Sequence, residues 1–149
     1  MKITPMCLLH SKMDSPESAI SVLNNRLACG FPSPADDYLE SLPSIDELLI
    51  KHPSATYLGR ASGDSMIERG ILDGSILVID RALEPSHNST IVASIAGEFT
   101  VKIVDFKTNQ LKAANPNHKP IPIPDDLDVL SEGVVTYCIT PQNNFAFAI

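Results

Sequence analysis

The sequence has only three cysteines, and their placement favours neither a disulfide framework nor a metal site. Cys7, Cys29 and Cys138 are odd in number, lie far apart and include no C-x-x-C pair. Disulfide frameworks use even sets of cysteines, and a tetrahedral zinc site needs closely spaced ligands. We therefore expect a protein of the reducing cytoplasm that carries no metal ion and no cofactor.

Basic residues are also scarce. The chain has 11 Lys and Arg residues against 18 Asp and Glu residues, which gives a formal net charge of -7. Affinity for nucleic acid comes mainly from lysine and arginine side chains that replace counterions on the phosphates. Direct nucleic-acid binding is therefore not expected.

Long apolar runs are missing from the start of the chain. The only apolar run there, Met6 to Leu9, ends at His10. It is far shorter than the core of a signal peptide or a membrane span. We expect a soluble, unexported chain with no membrane partner.

What the chain does have suggests an arm followed by one domain. In the first thirty residues, Ser15 and Pro16 form a helix-start signal, and apolar residues recur at helical spacing up to Gly30. These apolar residues are Ile20, Leu23 and Leu27. An isolated helix of this length is marginal in water, so we expect a mobile arm with weak helical tendency. The sequence 44–47 matches a capping box and predicts a short helix that stops at His52, before Pro53.

Beyond Pro53 the pattern is typical of β structure. Short segments rich in Val, Ile, Thr and Tyr are separated by Gly, Pro, Asn and Asp. The predicted strands are 55–61, 75–80, 90–95, 98–106, 110–114 and 133–140. A tight hairpin is predicted at Ala96-Gly97, and a polar loop from Asn115 to Pro124. We expect a twisted, partly closed antiparallel β fold with short helices and a mobile N-terminal arm.

The densest signal for chemistry is ASGDSMIERG at 61–70. A strand ends there, the chain turns, and Ser65 is predicted at the start of a short helical turn. Free backbone N–H groups at such a position stabilise an oxyanion, as a serine that attacks a carbonyl requires. The alternative is that Ser65 caps the turn with Glu68 as its reciprocal partner.

A serine nucleophile needs a base, and the strand 98–106 offers Lys102. Two-residue alternation places Lys102 on one face with Thr100, Val104 and Phe106, where its ammonium can be desolvated. Burial lowers the pKa of a lysine and makes its neutral form more available as a base. The alternative is an edge-strand lysine that discourages aggregation. A base among the four histidines, His10, His52, His87 and His118, is a further alternative.

The sequence resembles the LexA/UmuD family of self-cleaving serine-lysine proteins, peptidase family S24. The residues that carry the resemblance are ASGDSM at 61–66 and GEFTVK at 97–102, together with CGFPSPADDYLE at 29–40 and HPSATYLGRASGDSMI at 52–67. The similarity runs from about Leu27 to Val135. Three separated motifs in combination are far more specific than any one of them.

The resemblance implies a role for each matching residue. Ser65 corresponds to the nucleophile, Lys102 to the general base, and Cys29-Gly30 to the bond that is cleaved. The backbone N–H groups of Asp64 and Ser65 would form the oxyanion hole. Residues 1–29 would be an arm removed by self-cleavage, 30–52 a remaining arm with short helical segments, and 53–149 the β-rich peptidase-like domain.

The resemblance also implies partners. Cleavage in the family is stimulated by the RecA filament on single-stranded DNA. The trimmed homodimer then joins a UmuC-type DNA polymerase subunit in error-prone translesion synthesis during the SOS response. We expect such a polymerase accessory protein and not a repressor, because no helix-turn-helix domain fits before Cys29.

Two other classes of function stay open. One is a non-catalytic dimerisation or docking module with the same fold. The other is a serine-lysine peptidase that acts on other proteins, which is disfavoured because that activity normally needs a membrane anchor.

Overall fold

The computed structural model describes residues 1–8, 21–23, 39–41, 44–123, 125 and 130–143. The chain divides into two compact units, Met1–His10 with His52–Ile149, and Ser11–Lys51. In chain order the elements are β1 (Lys2–Leu8), β2 (Ser21–Leu23), β3 (Leu39–Ser41), α1 (Ile45–Leu49), β4 (Thr56–Ser62), β5 (Ile76–Asp80), β6 (Thr90–Ile95), β7 (Glu98–Asp105), β8 (Gln110–Lys112), β9 (Ile121–Pro122) and β10 (Ser131–Ile139).

The larger unit is a single antiparallel sheet that partly closes on itself. Its strand order is β1-β4-β5-β10-β6-β7-β8-β9, and β1 also pairs with β7 through Lys2 and Thr100. This extra pairing joins the first strand in the order to the sixth, so that six strands form a ring. The predicted fold class, a partly closed antiparallel β fold with short helices, is confirmed.

The six predicted strands correspond to β4, β5, β6, β7, β8 and β10. Their ends lie within about two residues of the predicted limits, because Gly, Pro, Asn and Asp mark the turns. The β6–β7 hairpin at Ala96-Gly97 is also confirmed. These two residues have φ angles of 51° and 80°, and positive φ at both central positions is what a type I′ hairpin turn requires.

Two clusters of buried apolar side chains form the core of the sheet. One gathers Ile3, Tyr57, Ala61, Met66, Ile71, Leu77, Ile79, Val92, Val101 and Ala114, and the other gathers Ile91, Ala93, Val104, Leu111 and Ile123. Strand β5 is buried at every position, which explains its continuous apolar run, since a strand covered on both faces does not alternate.

Two strands of the sheet were not predicted. β1 contains Pro5, and its pairing with β4 shifts register between Pro5 and Cys7. A proline has no backbone N–H to donate within a sheet, so the sequence pattern does not indicate a strand here. The register shift lies next to this proline. β9 is two residues long and lies inside the predicted loop Asn115–Pro124, where it pairs with β8.

In the smaller unit the capping box is confirmed. The Ser44 side chain accepts a hydrogen bond from the Glu47 N–H, and the Glu47 carboxylate accepts one from the Ser44 N–H. The helix ends at Leu49, short of His52, because Ile50 already has an extended backbone. The predicted helical tendency of the arm is wrong at Ser21–Leu23. These residues form a strand that pairs with β3. An isolated short helix is marginal in water, whereas this strand has a hydrogen-bonded partner.

No helix among the described residues has the length and apolarity that a membrane crossing demands.

Gly133 lies where β10 changes register against β6. A substitution at this position tests how closely the sheet is packed there. The φ of Gly133 is 135°, and an added Cβ would lie 2.7 Å from Cγ2 of Ile79. We expect Gly133→Ala to lower the free energy of unfolding by about 2–4 kcal/mol, since backbone strain and overpacking act together. Urea denaturation measures this change.

The matched control is Gly74→Ala. Gly74 also has a positive φ, 81°, but an added Cβ would meet nothing within 4 Å. Its loss of stability should be limited to backbone strain, about 1–2 kcal/mol. Equal losses for the two variants would show that the contact at Ile79 is not tight.

Candidate active site

Ser65 lies in a tight turn directly after β4. Gly63 begins the turn with a φ of 100°, and its N–H donates to Asp73 Oδ1 at 2.7 Å. The turn leads into a single 3₁₀ turn, Ile67–Arg69, which Gly70 ends in the left-handed conformation. Ser65 is 1% exposed, so its hydroxyl is held inside the domain.

Ser65 does not cap the helical turn. The residue at the N-cap position is Met66, whose side chain makes no capping hydrogen bond. The Glu68 N–H, which a capping serine would bind, donates to the carbonyl oxygen of Ala114 at 2.9 Å. The capping-box alternative is therefore wrong. The expected helix start is also corrected, because a single 3₁₀ turn that begins two residues after Ser65 supplies little helix dipole.

The backbone around Ser65 leaves two donors available. Among the residues that the structure describes, neither the Asp64 N–H nor the Ser65 N–H donates to a protein acceptor. Backbone N–H groups in a folded domain normally have partners, so two adjacent donors without a described acceptor, one of them on the buried Ser65, are notable. They are suited to binding an oxyanion that forms when the serine attacks a carbonyl.

Lys102 lies in β7, which has paired neighbours on both sides. β7 pairs with β6 along its length and with β8 from Ile103 to Asp105. The edge-strand alternative is therefore wrong. Of the predicted face neighbours, Val104 is fully buried and Phe106 is exposed. Burial of the Lys102 ammonium lowers its pKa below the usual value.

The side chain of Lys102 is directed to Thr100. Its Nζ donates to Thr100 Oγ1 at 3.2 Å and to the carbonyl oxygen of Val101 at 3.3 Å. Within the described part of the chain, no hydrogen bond joins Lys102 to Ser65. The structure thus places both predicted residues in the same region of the sheet, where each has a different hydrogen-bond partner.

Met1 lies between them. Its amino group donates to Ser65 Oγ at 2.5 Å, and its carbonyl oxygen accepts from the Val101 N–H at 3.1 Å and from Thr100 Oγ1 at 2.9 Å. Burial lowers the pKa of this amine, and the positive charge of Lys102 lowers it further. Two amines with lowered pKa values therefore share the site. The sequence carried no signal for Met1, because its position follows from the unpredicted pairing of β1.

The described histidines do not serve Ser65. His52 contacts Asp80 at 2.6 Å, His87 contacts Asp105 at 3.6 Å, and His118 contacts Asp64 at 3.1 Å. The alternative of a histidine base is therefore wrong for these three residues. His10 lies outside the described residues. The predicted cleavage site, Cys29 and Gly30, also lies outside them. In the described segments, no group of three His, Cys, Asp or Glu side chains could hold a metal ion.

Comparison with known proteins identifies the family. The family described as Peptidase S24-like matches residues 21–136, most of the chain. The chain belongs to the S24-like peptidases. It is 42% identical to protein MucA of Salmonella typhimurium over 118 residues, which cover 76% of this chain and 80% of MucA. Protein SamA of Salmonella typhimurium (strain LT2) is 36% identical over 132 residues, which cover 88% of this chain and 92% of SamA.

A more distant relative is a LexA repressor of Stenotrophomonas maltophilia. It is 33% identical over 115 residues, which cover 76% of this chain but only 53% of the repressor. These relatives support a UmuD-like member of the LexA/UmuD family, whose S24 peptidases are in general self-cleaving serine peptidases. The S24-like match includes Ser65, Lys102 and Cys29-Gly30, whereas β1 lies before it.

The lowered pKa of Lys102 has a measurable effect on the stability of this S24-like domain. Its folded-state pKa lies below the usual 10.5, so the unfolded chain binds more protons between the two values. The free energy of unfolding should therefore rise with pH through that window. Lys102→Met keeps an unbranched side chain without the charge and should flatten the rise.

The measurement is urea denaturation between pH 7 and pH 10.5, with and without Lys102→Met. Both proteins should carry Ser65→Ala, so that no reaction at Ser65 interferes. Lys102→Met should be the more stable protein at pH 7, and the difference should shrink as the pH rises. Parallel curves would contradict a lowered pKa for Lys102.

Proposed function

We propose that this protein cleaves its own chain at the Cys29-Gly30 bond, with Ser65 as the nucleophile and Lys102 as the general base. The observation that carries the proposal is the surroundings of the Ser65 hydroxyl. It is buried, it contacts an amine, and it lies beside two backbone donors that have no protein partner among the described residues. Membership of the S24-like family supports the same chemistry.

In the proposed reaction neutral Lys102 accepts the proton of Ser65 Oγ as this oxygen attacks the carbonyl carbon of Cys29. The Asp64 and Ser65 N–H groups stabilise the negative oxygen of the tetrahedral intermediate. The lysine ammonium then gives its proton to the amine of Gly30, and the peptide bond breaks. Water hydrolyses the ester between Cys29 and Ser65, so one peptide bond and one water molecule are consumed.

Strand β1 must move before this reaction can take place. In the structure the Met1 amine lies beside Ser65 Oγ. The Thr100 hydroxyl donates a hydrogen bond to the Met1 carbonyl oxygen and accepts one from Lys102. Lys102 can reach Ser65 only after Met1 leaves. Departure of Met1 also opens the edge of β4, where a segment in extended conformation can pair as β1 does.

The wider role proposed for the protein is in the SOS response. Its relatives include MucA and a LexA repressor, which favours DNA-damage-induced mutagenesis as the process served. We infer that the RecA filament on single-stranded DNA stimulates the cleavage in the cytoplasm. The trimmed chain then acts as a homodimer that joins a UmuC-type polymerase subunit in translesion synthesis.

Self-cleavage should depend on pH in the way that a lysine base requires. Below the pKa of Lys102, the neutral fraction and hence the rate should rise about tenfold per pH unit, and the rate should level off before pH 10.5. Mass spectrometry of purified protein should find a fragment that runs from Gly30 to Ile149. A rate that does not change with pH would count against Lys102 as the base.

Two substitutions test the assigned roles in the same assay. Ser65→Ala and Lys102→Ala should each abolish the fragment while the domain stays folded. Ser54→Ala and Lys107→Ala are matched controls, because both residues are exposed and lie away from the site. Normal cleavage by Ser65→Ala would show that the nucleophile is a different residue.

The proposed departure of β1 can be tested at Ile3. Its side chain is 5% exposed and packs against Gly59 and Ile79. Ile3→Asp places a charge in this contact and weakens the docking of β1, so self-cleavage should be at least about tenfold faster than in the wild type.

The control is Lys2→Gln, next to Ile3. Lys2 is exposed and pairs with Glu98 on the surface, and such pairs contribute little to stability. Its cleavage rate should stay close to that of the wild type. If Ile3→Asp cleaves no faster while its domain remains folded, β1 does not limit the reaction.

One observation favours a second function, a non-catalytic docking module. Met1, and not Lys102, contacts Ser65 in the structure, as expected of a site that is permanently filled. In that case the intact chain would bind the polymerase subunit equally well with and without Lys102→Ala. It would also yield no fragment at any pH.

A further inference from the structure

The loop that follows β8 packs directly on the turn that carries Ser65. The carbonyl oxygen of Ala114 accepts a hydrogen bond from the Glu68 N–H at 2.9 Å. Asn115 Nδ2 donates to the carbonyl oxygen of Asp64 at 3.0 Å. Two consecutive loop residues therefore hold the turn on both sides of Ser65.

The contact at Asp64 acts on Ser65 through the peptide plane. The Asp64 carbonyl and the Ser65 N–H belong to the same planar, trans peptide unit, in which the two groups point in opposite directions. Fixing the carbonyl oxygen on one side therefore fixes the direction of the Ser65 N–H on the other. The only other described donor to this oxygen, the Ile67 N–H, is longer at 3.3 Å, so the Asn115 contact is the shorter restraint.

Asn115 is itself held in place. It is 4% exposed, and its Oδ1 accepts a hydrogen bond from the Asn117 N–H at 3.0 Å. One end of the amide faces an N–H and the other faces a carbonyl oxygen, so only one orientation satisfies both partners. His118 adds a contact from Nε2 to Asp64 Oδ1 at 3.1 Å. The amide therefore has a fixed position from which to direct the Asp64 carbonyl.

We propose that Asn115 is a positioning residue that aims the Ser65 N–H at the oxyanion formed during cleavage. This inference rests on the proposed self-cleavage. Asn115 touches no reacting atom, and it acts through the Asp64-Ser65 peptide. Without its amide, that peptide can rotate, and the N–H loses its direction toward the oxygen that it should stabilise.

The test compares Asn115→Ala and Asn115→Asp with the wild type in the self-cleavage assay. Asn115→Asp keeps the shape of the side chain but replaces the donor with an acceptor. The new carboxylate repels the Asp64 carbonyl and also the Asp64 carboxylate, whose Oδ2 lies 3.4 Å from Asn115 Nδ2. Loss of one oxyanion donor lowers rates by about 100- to 1,000-fold. For a misdirected donor we expect the plateau rate at high pH to fall by about 10- to 100-fold. The pH midpoint should not move in the uncharged Asn115→Ala, because Lys102 sets it.

The matched control is Asn117→Ala. The neighbouring Asn117 contacts Asn115 through its backbone N–H, which this substitution retains, so the cleavage rate should be unchanged. Thermal unfolding of each variant checks that the domain is folded. Should Asn115→Ala fail to fold, the near-isosteric Asn115→Asp decides the outcome.

The outcomes separate this inference from the proposed function. If the wild type gives no Gly30 fragment at any pH, the proposed function fails, and the role of Asn115 fails with it. If the wild type cleaves and folded Asn115→Asp reaches the same plateau, only the inference is overturned. A shifted pH midpoint in Asn115→Ala would also overturn it, because it would place the effect on Lys102. A separate readout is the Ser65 amide resonance in NMR, which should shift in Asn115→Asp and not in Asn117→Ala.

Discussion

A serine hydroxyl that is activated by a lysine depends on one condition, an amine without its proton. In water a lysine with a pKa near 10.4 is neutral in about one molecule in 2,500 at pH 7, which corresponds to a cost of roughly 4 to 5 kcal/mol. Lowering the pKa by burial reduces that cost. In this protein Lys102 lies in β7, which pairs with strands on both of its sides, and burial is the cause of the lowered pKa of Lys102.

The closure of the sheet by β1 brings a conflict to this site. Ser65 follows β4 and Lys102 lies in β7, two strands that are not neighbours along the main order of the sheet. β1 pairs with both and so brings the two residues into the same region. The same strand places Met1 between them. The element that shields the site in this structure is thus also the one that separates nucleophile from base.

Much of the sheet could be predicted from the sequence, because alternation and turn residues are local properties. β6 and β7 are an example, since Ala96-Gly97 forms their turn and both strands match the predicted limits closely. β1 could not be predicted, since it is interrupted at Pro5 and owes its existence to partners about fifty to sixty residues away. The arm at Ser21–Leu23 was assigned the wrong periodicity for the same reason, because pairing with β3 decides its structure.

In the site, too, some features follow from the local sequence and others depend on residues that are distant in the chain. A serine followed three residues later by glutamate fits a capping box and a nucleophile turn equally well, so the local sequence cannot separate the two. What decides between them is the carbonyl of Ala114, which takes the Glu68 N–H that a cap would use. Ser65 is thereby left with no capping role. Within the described part of the chain, the Asp64 and Ser65 N–H groups also have no protein acceptor. The chemistry of the turn is therefore set by residues about fifty positions away. The sequence pattern placed Ala114 at the end of a predicted strand and described the chain from Asn115 onward only as a polar loop.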